Sequence, residues 1–235
     1  MNILAMETSG PVLTVALGGE GRRIELIVSN GFNHAQSLMP AVTSIFEQSG
    51  IKPEDLDLVA CSAGPGSFTG LRIGMAAAKG IARGAACHLK AVSTLILLAA
   101  GRENWPGIVV PIIDARKKRV YTAAFQNGRR IKADQDIALD KFLDSLAGKS
   151  AILATGPNAE IAEGYERVTI DRLGDYGRGS AMIDAARSAY EKDGPDSLDI
   201  GPIYLRASEA EIVSASSRAA SLRKSSGAGR ERQEQ

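Results

Sequence analysis

Apolar positions over residues 2–29 come in short runs broken by glycine. "NILAME" (2–7), "PVLTVALGG" (11–19) and "RRIELIVS" (22–29) read as three strands joined by tight turns, an antiparallel start. The period then lengthens. In "FNHAQSLMPAVTSIFEQSG", Leu38, Val42, Ile45 and Ser49 fall on one helical face, Asn33 and Gln36 have capping-box spacing, and Gly50 suits a helix end. Pro40 predicts a bend in that helix, because it removes a backbone donor. "DLDLVACSAG" (55–64) is apolar through its middle and runs into a helical pattern, the mark of a buried strand in a parallel pairing. "HLKAVSTLILLAAGREN" then gives a strand to about Val92, a cap at Ser93 or Thr94, and an apolar helix ending near Gly101. The first unit closes near residue 100.

After "NWPG" the pattern restarts. "ILAMETSGPVLTVAL" (3–17) and "VPIIDARKKRVYTAAF" (110–125) both run as apolar strand, acid, polar turn and second apolar strand, with Glu7 and Asp114 in the same place. The match points to an internal duplication. "AILATGPNAEIAEG" adds a strand and a glycine turn. "RGSAMIDAARSAYEKDG" adds a helix with Met182, Ala185, Ala186 and Ala189 on one side, and "IGPIYLRAS" is a last extended segment. From about Ser214 the chain is rich in Ser, Arg and Gly without an apolar period, which predicts a mobile tail.

The stretch "CSAGPGSFTGLRIGMAAAKGIARGAA" (61–86) holds the candidate chemistry. Gly64, Gly66 and Gly70 allow close approach of backbone, Ser67 and Thr69 are candidate caps, and Arg72 stands at the positive end of a helix, where it needs an anion or an acidic partner. The spacing is neither G-x-G-x-x-G nor a Walker motif, so a capped strand-to-helix turn stands beside the anion-site reading. The helix that follows is apolar around most of its circumference: Leu71, Met75, Ala78 and Ala82 form one set, and Ile73, Ala77 and Ile81 another. Arg72, Lys79 and Arg83 share a stripe with Ala76. Such width predicts burial on two sides, either inside its own domain or against another chain. Gly74 and Gly80 each cost about 1 kcal/mol relative to alanine in a helix, so close approach of a neighbouring backbone is expected there.

Composition narrows the function classes. A formal charge of +1 excludes a protein dominated by nucleic-acid or membrane electrostatics, so any RNA contact is local. Two cysteines, Cys61 and Cys87, are too few for a disulfide scaffold, and the absence of a leader or a long apolar span makes the cytoplasm the default. Two histidines without metal-ligand spacing and no serine elbow leave no catalytic residue to name and no metal site. Glu7 and Asp114, with Thr8, Ser9 and Gly156, are candidates for holding Mg²⁺ and nucleotide phosphates, or else for satisfying turn amides. "RKKR" (116–119) suits RNA phosphates or a solvated hairpin turn, and "TGPN" (155–158) a nucleotide base or a plain turn.

"GPGSFTGLRIG", preceded by "HAQSLMP" and "METS", resembles the TsaB (YeaZ) family, and the resemblance continues through "AVSTLILLA", "IIDARKKRVYTAAF", "ATGPNA" and "PIYLR". It implies an actin-like, ribonuclease H-like α/β fold: two lobes, each a mixed sheet flanked by helices. Residues 1–100 would form the N-terminal lobe carrying a partner interface. Residues 101–213 would form a smaller related lobe whose last helix can pack back on the first, and 214–235 a flexible tail. The implied function is that of a non-catalytic subunit supporting TsaD in transfer of a threonylcarbamoyl group to N6 of adenosine 37, in tRNAs reading codons that begin with A. The alternative is a free-standing actin-fold ATPase or kinase.

TsaD is the implied heterodimer partner, with TsaE joining. tRNA would be met through the complex, and a homodimer is open to the chain when alone. No cofactor of its own is expected, ATP and Mg²⁺ acting through the complex. The family's interface helices map to 34–49 and 69–85, giving His34, Leu38, Met39, Val42, Phe46, Thr69, Leu71, Arg72, Gly74, Met75, Ala78, Lys79 and Ala82 as interface candidates. Glu7 stands where the family usually has aspartate, and Ala35 and Gln36 where serine and glutamate are common. Both changes weaken any autonomous nucleotide chemistry.

Overall fold

The computed structural model describes residues 1–206 apart from Glu20, Asn30, Phe32, Ala147, Lys149, Asp175 and Gly177; the tail expected over 214–235 lies outside the described residues. Two five-stranded sheets carry the fold. The first comprises β1 (Ile3–Glu7), β2 (Leu13–Gly18), β3 (Arg23–Val28), β4 (Leu58–Gly64) and β5 (His88–Ser93) in the order β3-β2-β1-β4-β5. The second comprises β6 (Ile108–Asp114), β7 (Val120–Gln126), β8 (Arg129–Ile137), β9 (Ile152–Thr155) and β10 (Val168–Ile170), in the order β8-β7-β6-β9-β10. Each sheet opens as an antiparallel meander and continues with parallel neighbours on the other side of its first strand. Identical order and direction make the two sheets copies of one plan, as the repeated strand-acid-turn pattern requires.

Strand alternation explains how the first sheet is covered on both faces. Leu4 and Met6 of β1 join the core beneath α1 (His34–Ser49) and α2 (Phe68–Gly84). Ile3 and Ala5 point the other way, into a core with Met182, Ile183 and Ala186 of α5 (Arg178–Asp193). The last helix among the described residues thus packs on the first sheet. Glu25 of β3 fixes its start: the carboxylate accepts from Gly179 N (3.0 Å) and Ser180 N (3.3 Å), and Arg23 pairs with Asp184 at 2.5 Å.

The second sheet has a thinner covering. On one face Ile108, Val110 and Ile112 meet Leu139, Phe142 and Leu143 of α4 (Leu139–Asp144). On the other, Val109, Ile113 and Phe125 meet Leu95 and Leu98 of α3 (Thr94–Ala99), whose Leu97 belongs to the core of the first sheet. That division is why α3 is apolar all round.

Several local expectations change. Asn33 takes the N-cap position of α1 without a side-chain capping bond, and Gln36 N bonds instead to Asn33 O (3.2 Å), so the capping box does not form. Gly50 does cap the helix, at φ 71° with its N–H on Phe46 O. The sequence pattern leaves β8, α4 and β10 unmarked. β8 is a polar edge strand, with Arg130 paired to Asp134 at 3.1 Å and Lys132 bonded to Ser145, charges that suit an unpaired edge better than an apolar alternation would.

A half-buried ion pair ties the α3–β6 connection to the second sheet. Burial alone would raise the Asp171 carboxyl. Arg102 Nε at 2.6 Å, with Thr155 Oγ1 and Leu173 N both at 3.1 Å, holds it below its ordinary value instead. A carboxylate with a depressed folded pKa adds stability that is present above its unfolded pKa and lost as pH falls through the folded one. Asp171→Asn is expected to cost about 1–2 kcal/mol at pH 7, with the variant and parent unfolding curves converging below about pH 4. Urea unfolding across that range measures it.

Candidate functional site

The glycine loop Gly64–Gly70 sits on the turn that follows β1. Ser67 N donates to Ser9 O (2.7 Å), and Thr8 Oγ1 donates to Gly70 O (2.8 Å). A Cβ at Gly66 would lie 2.7 Å from Ser9 O; at Gly70 it would lie 2.1 Å from Thr8 O, and at Gly74 2.2 Å from Thr8 Oγ1. The loop is therefore a seat for the chain's own turn. Gly70 N donates to Ser67 Oγ (3.2 Å), making Ser67 the cap of α2, and Leu71 N donates to Ser67 O (2.9 Å). Arg72 stacks its guanidinium over the Phe68 ring, 3.8 Å from the centroid, so the ring quadrupole faces the cation.

Glu7 and Asp114 do the same job in the two copies. Glu7 Oε1 accepts from Ser9 N (2.6 Å) and Asp114 Oδ1 from Arg116 N (2.7 Å), each closing the turn two residues ahead. The duplication extends to a second pair that sequence reading missed. "AGPG" (63–66) ends β4 and "TGPN" (155–158) follows β9, with Gly64 and Gly156 at φ 112° and 105° before their prolines. Gly66 touches Ser9 in one copy, and Asn158 Oδ1 accepts from Asp114 N (2.9 Å) in the other. The shared Gly-Pro after a buried strand was the signal.

Between the two turns lies a cleft of about 600 Å³, lined by Ser9, Gly10 and Pro11, by Gly66, Ser67 and Phe68, and by Asp114, Arg116, Tyr121 and Asn158 among others. Of the nucleotide candidates read from the sequence, Ser9 and Asp114 line this cleft, as does Asn158; Glu7, Thr8 and Gly156 do not. Glu7 is 2% exposed, and although its Oε2 is buried without a hydrogen-bond partner, a hard cation needs several oxygens. No group of three potential metal ligands occurs among the described residues. Cys61 lies beneath, its thiol pushed up to about 12 by burial and next by the charge of Glu7, which makes it a poor nucleophile.

The interface candidates divide by burial. His34, Leu38, Val42, Leu71, Gly74, Met75, Ala78 and Ala82 are buried in the chain's own body, His34 Nε2 donating to Gly10 O (2.7 Å). They support the two helices and do not form their outer surface. Met39, Thr69 and Arg72 are exposed, Phe46 and Lys79 half-buried, and Ala76 and Gly80 of α2 are exposed beside them. A Cβ at Gly80 would meet nothing within 4 Å, so the close approach expected there does not come from this chain.

Comparison with known proteins gives a consistent picture. The family model described as TsaD, tRNA N6-adenosine threonylcarbamoyltransferase, matches residues 30–183. The tRNA threonylcarbamoyladenosine biosynthesis protein TsaB of Bacillus subtilis is 35% identical over 224 residues, spanning 90% of this chain and 96% of that protein. The Escherichia coli TsaB is 39% identical over 128 residues, 54% of this chain and 55% of its own length. YeaZ from Pseudomonas aeruginosa superposes with a TM-score of 0.73 at 26% identity, covering 87% of this chain and 99% of that one.

Proposed function

The chain belongs to the TsaB family of tRNA threonylcarbamoyladenosine biosynthesis proteins, and from that premise we propose that it is a non-catalytic subunit that supports TsaD. Its role lies in threonylcarbamoyladenosine formation, as a participant in the complex with TsaD. In finer detail, TsaD carries the transfer to N6 of adenosine 37 while this chain supplies shape and an assembly surface. TsaE joins the complex, and the same surface allows the free chain to pair with itself. ATP and Mg²⁺ act through the complex, not through a site on this chain.

One observation carries the reading. Glu7 and Asp114 each give one carboxylate oxygen to a turn amide, while α2, having given Leu71, Met75, Ala78 and Ala82 to its own core, still presents small residues outward at Ala76 and Gly80. Small exposed residues let a partner backbone approach closely, and Met39 with Phe46 offers apolar area nearby.

Depletion of the chain from its own cells, followed by mass spectrometry of nucleosides from digested tRNA, tests the role. Threonylcarbamoyladenosine should fall sharply and return with the wild-type chain. Unchanged modification would overturn the role. Native mass spectrometry of the purified assembly should show this chain with TsaD; recovery only with itself would reject the subunit reading.

A further inference from the structure

We propose that the turn between β6 and β7, Arg116–Lys117–Lys118, is an RNA contact that holds tRNA backbone phosphates at the mouth of the cleft; this rests on the role in tRNA modification argued above. The backbone of the turn is the starting point. Arg116, Lys117 and Lys118 all lie in the left-handed region, at φ 62°, 55° and 58°. Every such residue bears a steric cost that glycine avoids and asparagine reduces. The neighbouring hairpin from β7 to β8 meets the same demand with Asn127–Gly128, at φ 50° and 72°. Elsewhere among the described residues, the non-glycine positions of positive φ, Ala86, Asn127 and Arg167, occur singly. Turn geometry therefore explains why the chain bends at 116–118, but not why three cations stand there.

The structure also sharpens which charges count. Arg119 is held by Asp136, Nε to Oδ1 at 2.7 Å, and belongs to the sheet. Arg116, Lys117 and Lys118 are exposed, with the one-third-exposed carboxylate of Asp114 3.4 Å from Arg116. The backbone is fixed in place: Ala115 N donates to Arg119 O (2.9 Å), Arg119 N to Arg116 O (3.1 Å), and Arg116 N to Asp114 Oδ1 (2.7 Å). Closely spaced cations on a preformed turn suit successive phosphates, and the binding energy comes from counterions released by them. Arg116 also lines the cleft with Tyr121 and Phe68, the latter 39% exposed under the Arg72 guanidinium, so a base leaving the stack beside the held phosphates finds aromatic faces. With a net charge of only +1, the whole chain does not provide this attraction; the turn does.

The test uses the chain assembled with TsaD and a fluorescent, unmodified tRNA transcript, with binding followed by anisotropy over a salt series. Lys117→Ala with Lys118→Ala is expected to weaken binding about tenfold at low salt and to make the log K against log salt slope shallower by about two. Lys117→Arg with Lys118→Arg should retain both. A third variant, Lys117→Asn with Lys118→Gly, relaxes the turn while removing its charge. It should bind as weakly as the alanine pair, whereas a turn of purely structural value would leave its binding at the parent level. Parent affinity and slope in either charge-removing variant would overturn the proposal. A chain whose depletion leaves threonylcarbamoyladenosine unchanged would remove the premise, a failure read in cells and independent of the anisotropy result.

Discussion

Gly70→Ala is expected to destabilise the folded chain by about 3 kcal/mol, the scale of a forced overpacking in a closed core. The added Cβ would stand 2.1 Å from Thr8 O, a backbone atom at the end of a fully buried strand. Relief requires the loop to lift from the turn, which would also break the Thr8 Oγ1 bond to Gly70 O and the Ser67 N bond to Ser9 O. Urea unfolding should show a lower midpoint at an unchanged m-value. Gly80→Ala is the control, because its new Cβ meets nothing within 4 Å and alanine favours the helix. A Gly70→Ala chain as stable as the parent would show that the loop is not seated as described.

Gly80→Arg should leave the chain folded and remove its partner. The site is open on the outward side of α2, so an arginine there costs the monomer nothing and relieves the glycine penalty of up to about 1 kcal/mol. At an interface built on close helix approach the same side chain has no room. Affinity for TsaD is expected to fall at least a hundredfold, about 2.7 kcal/mol, while the melting temperature of the free chain holds or rises. Calorimetry on the mixed proteins and thermal unfolding of the chain alone read the two halves separately. Undiminished affinity would place the partner elsewhere. A bulky residue at Gly74 would be a poor substitute, since its Cβ collides with Thr8 and tests folding instead of assembly.

The contrast between these glycines shows what was legible. Spacing marked Gly64, Gly66, Gly70, Gly74 and Gly80 alike as places of close approach. The first four meet the chain's own backbone or side chains, and Gly80 meets none of them. Periodicity in α2 likewise separated the set Leu71, Met75, Ala78 and Ala82 from Ile73, Ala77 and Ile81, but could not say which set faced inward. The structure buries the first set completely and the second only in part. Of the two carboxylates, sequence found their equivalence and left metal and turn roles open; the structure gives one oxygen of each to the amide two residues ahead. β8 escaped notice because a strand at the sheet's edge carries charges in place of an apolar alternation, and β10 is only three residues long.

What the sequence determined by itself was part of what is local or repeated: the meander of β1 to β3, the buried strand before the glycine loop, the helix end at Gly50, a cap at Ser67 or Thr69, and the duplication seen in Glu7 and Asp114. These follow from alternation, turn chemistry and self-similarity, which act over a few residues or recur at a distance in recognisable form. The resemblance left open that the helix now seen as α5 packs back on the first lobe; tertiary structure alone decided that Glu25 caps it from a strand more than 150 residues away. It also decided that α3 serves two cores and that Arg119 is neutralised by Asp136 while its three neighbours stay exposed. Those outcomes depend on which surfaces meet once helices pack on sheets, and a one-dimensional pattern of polarity carries no information about the partner across a contact.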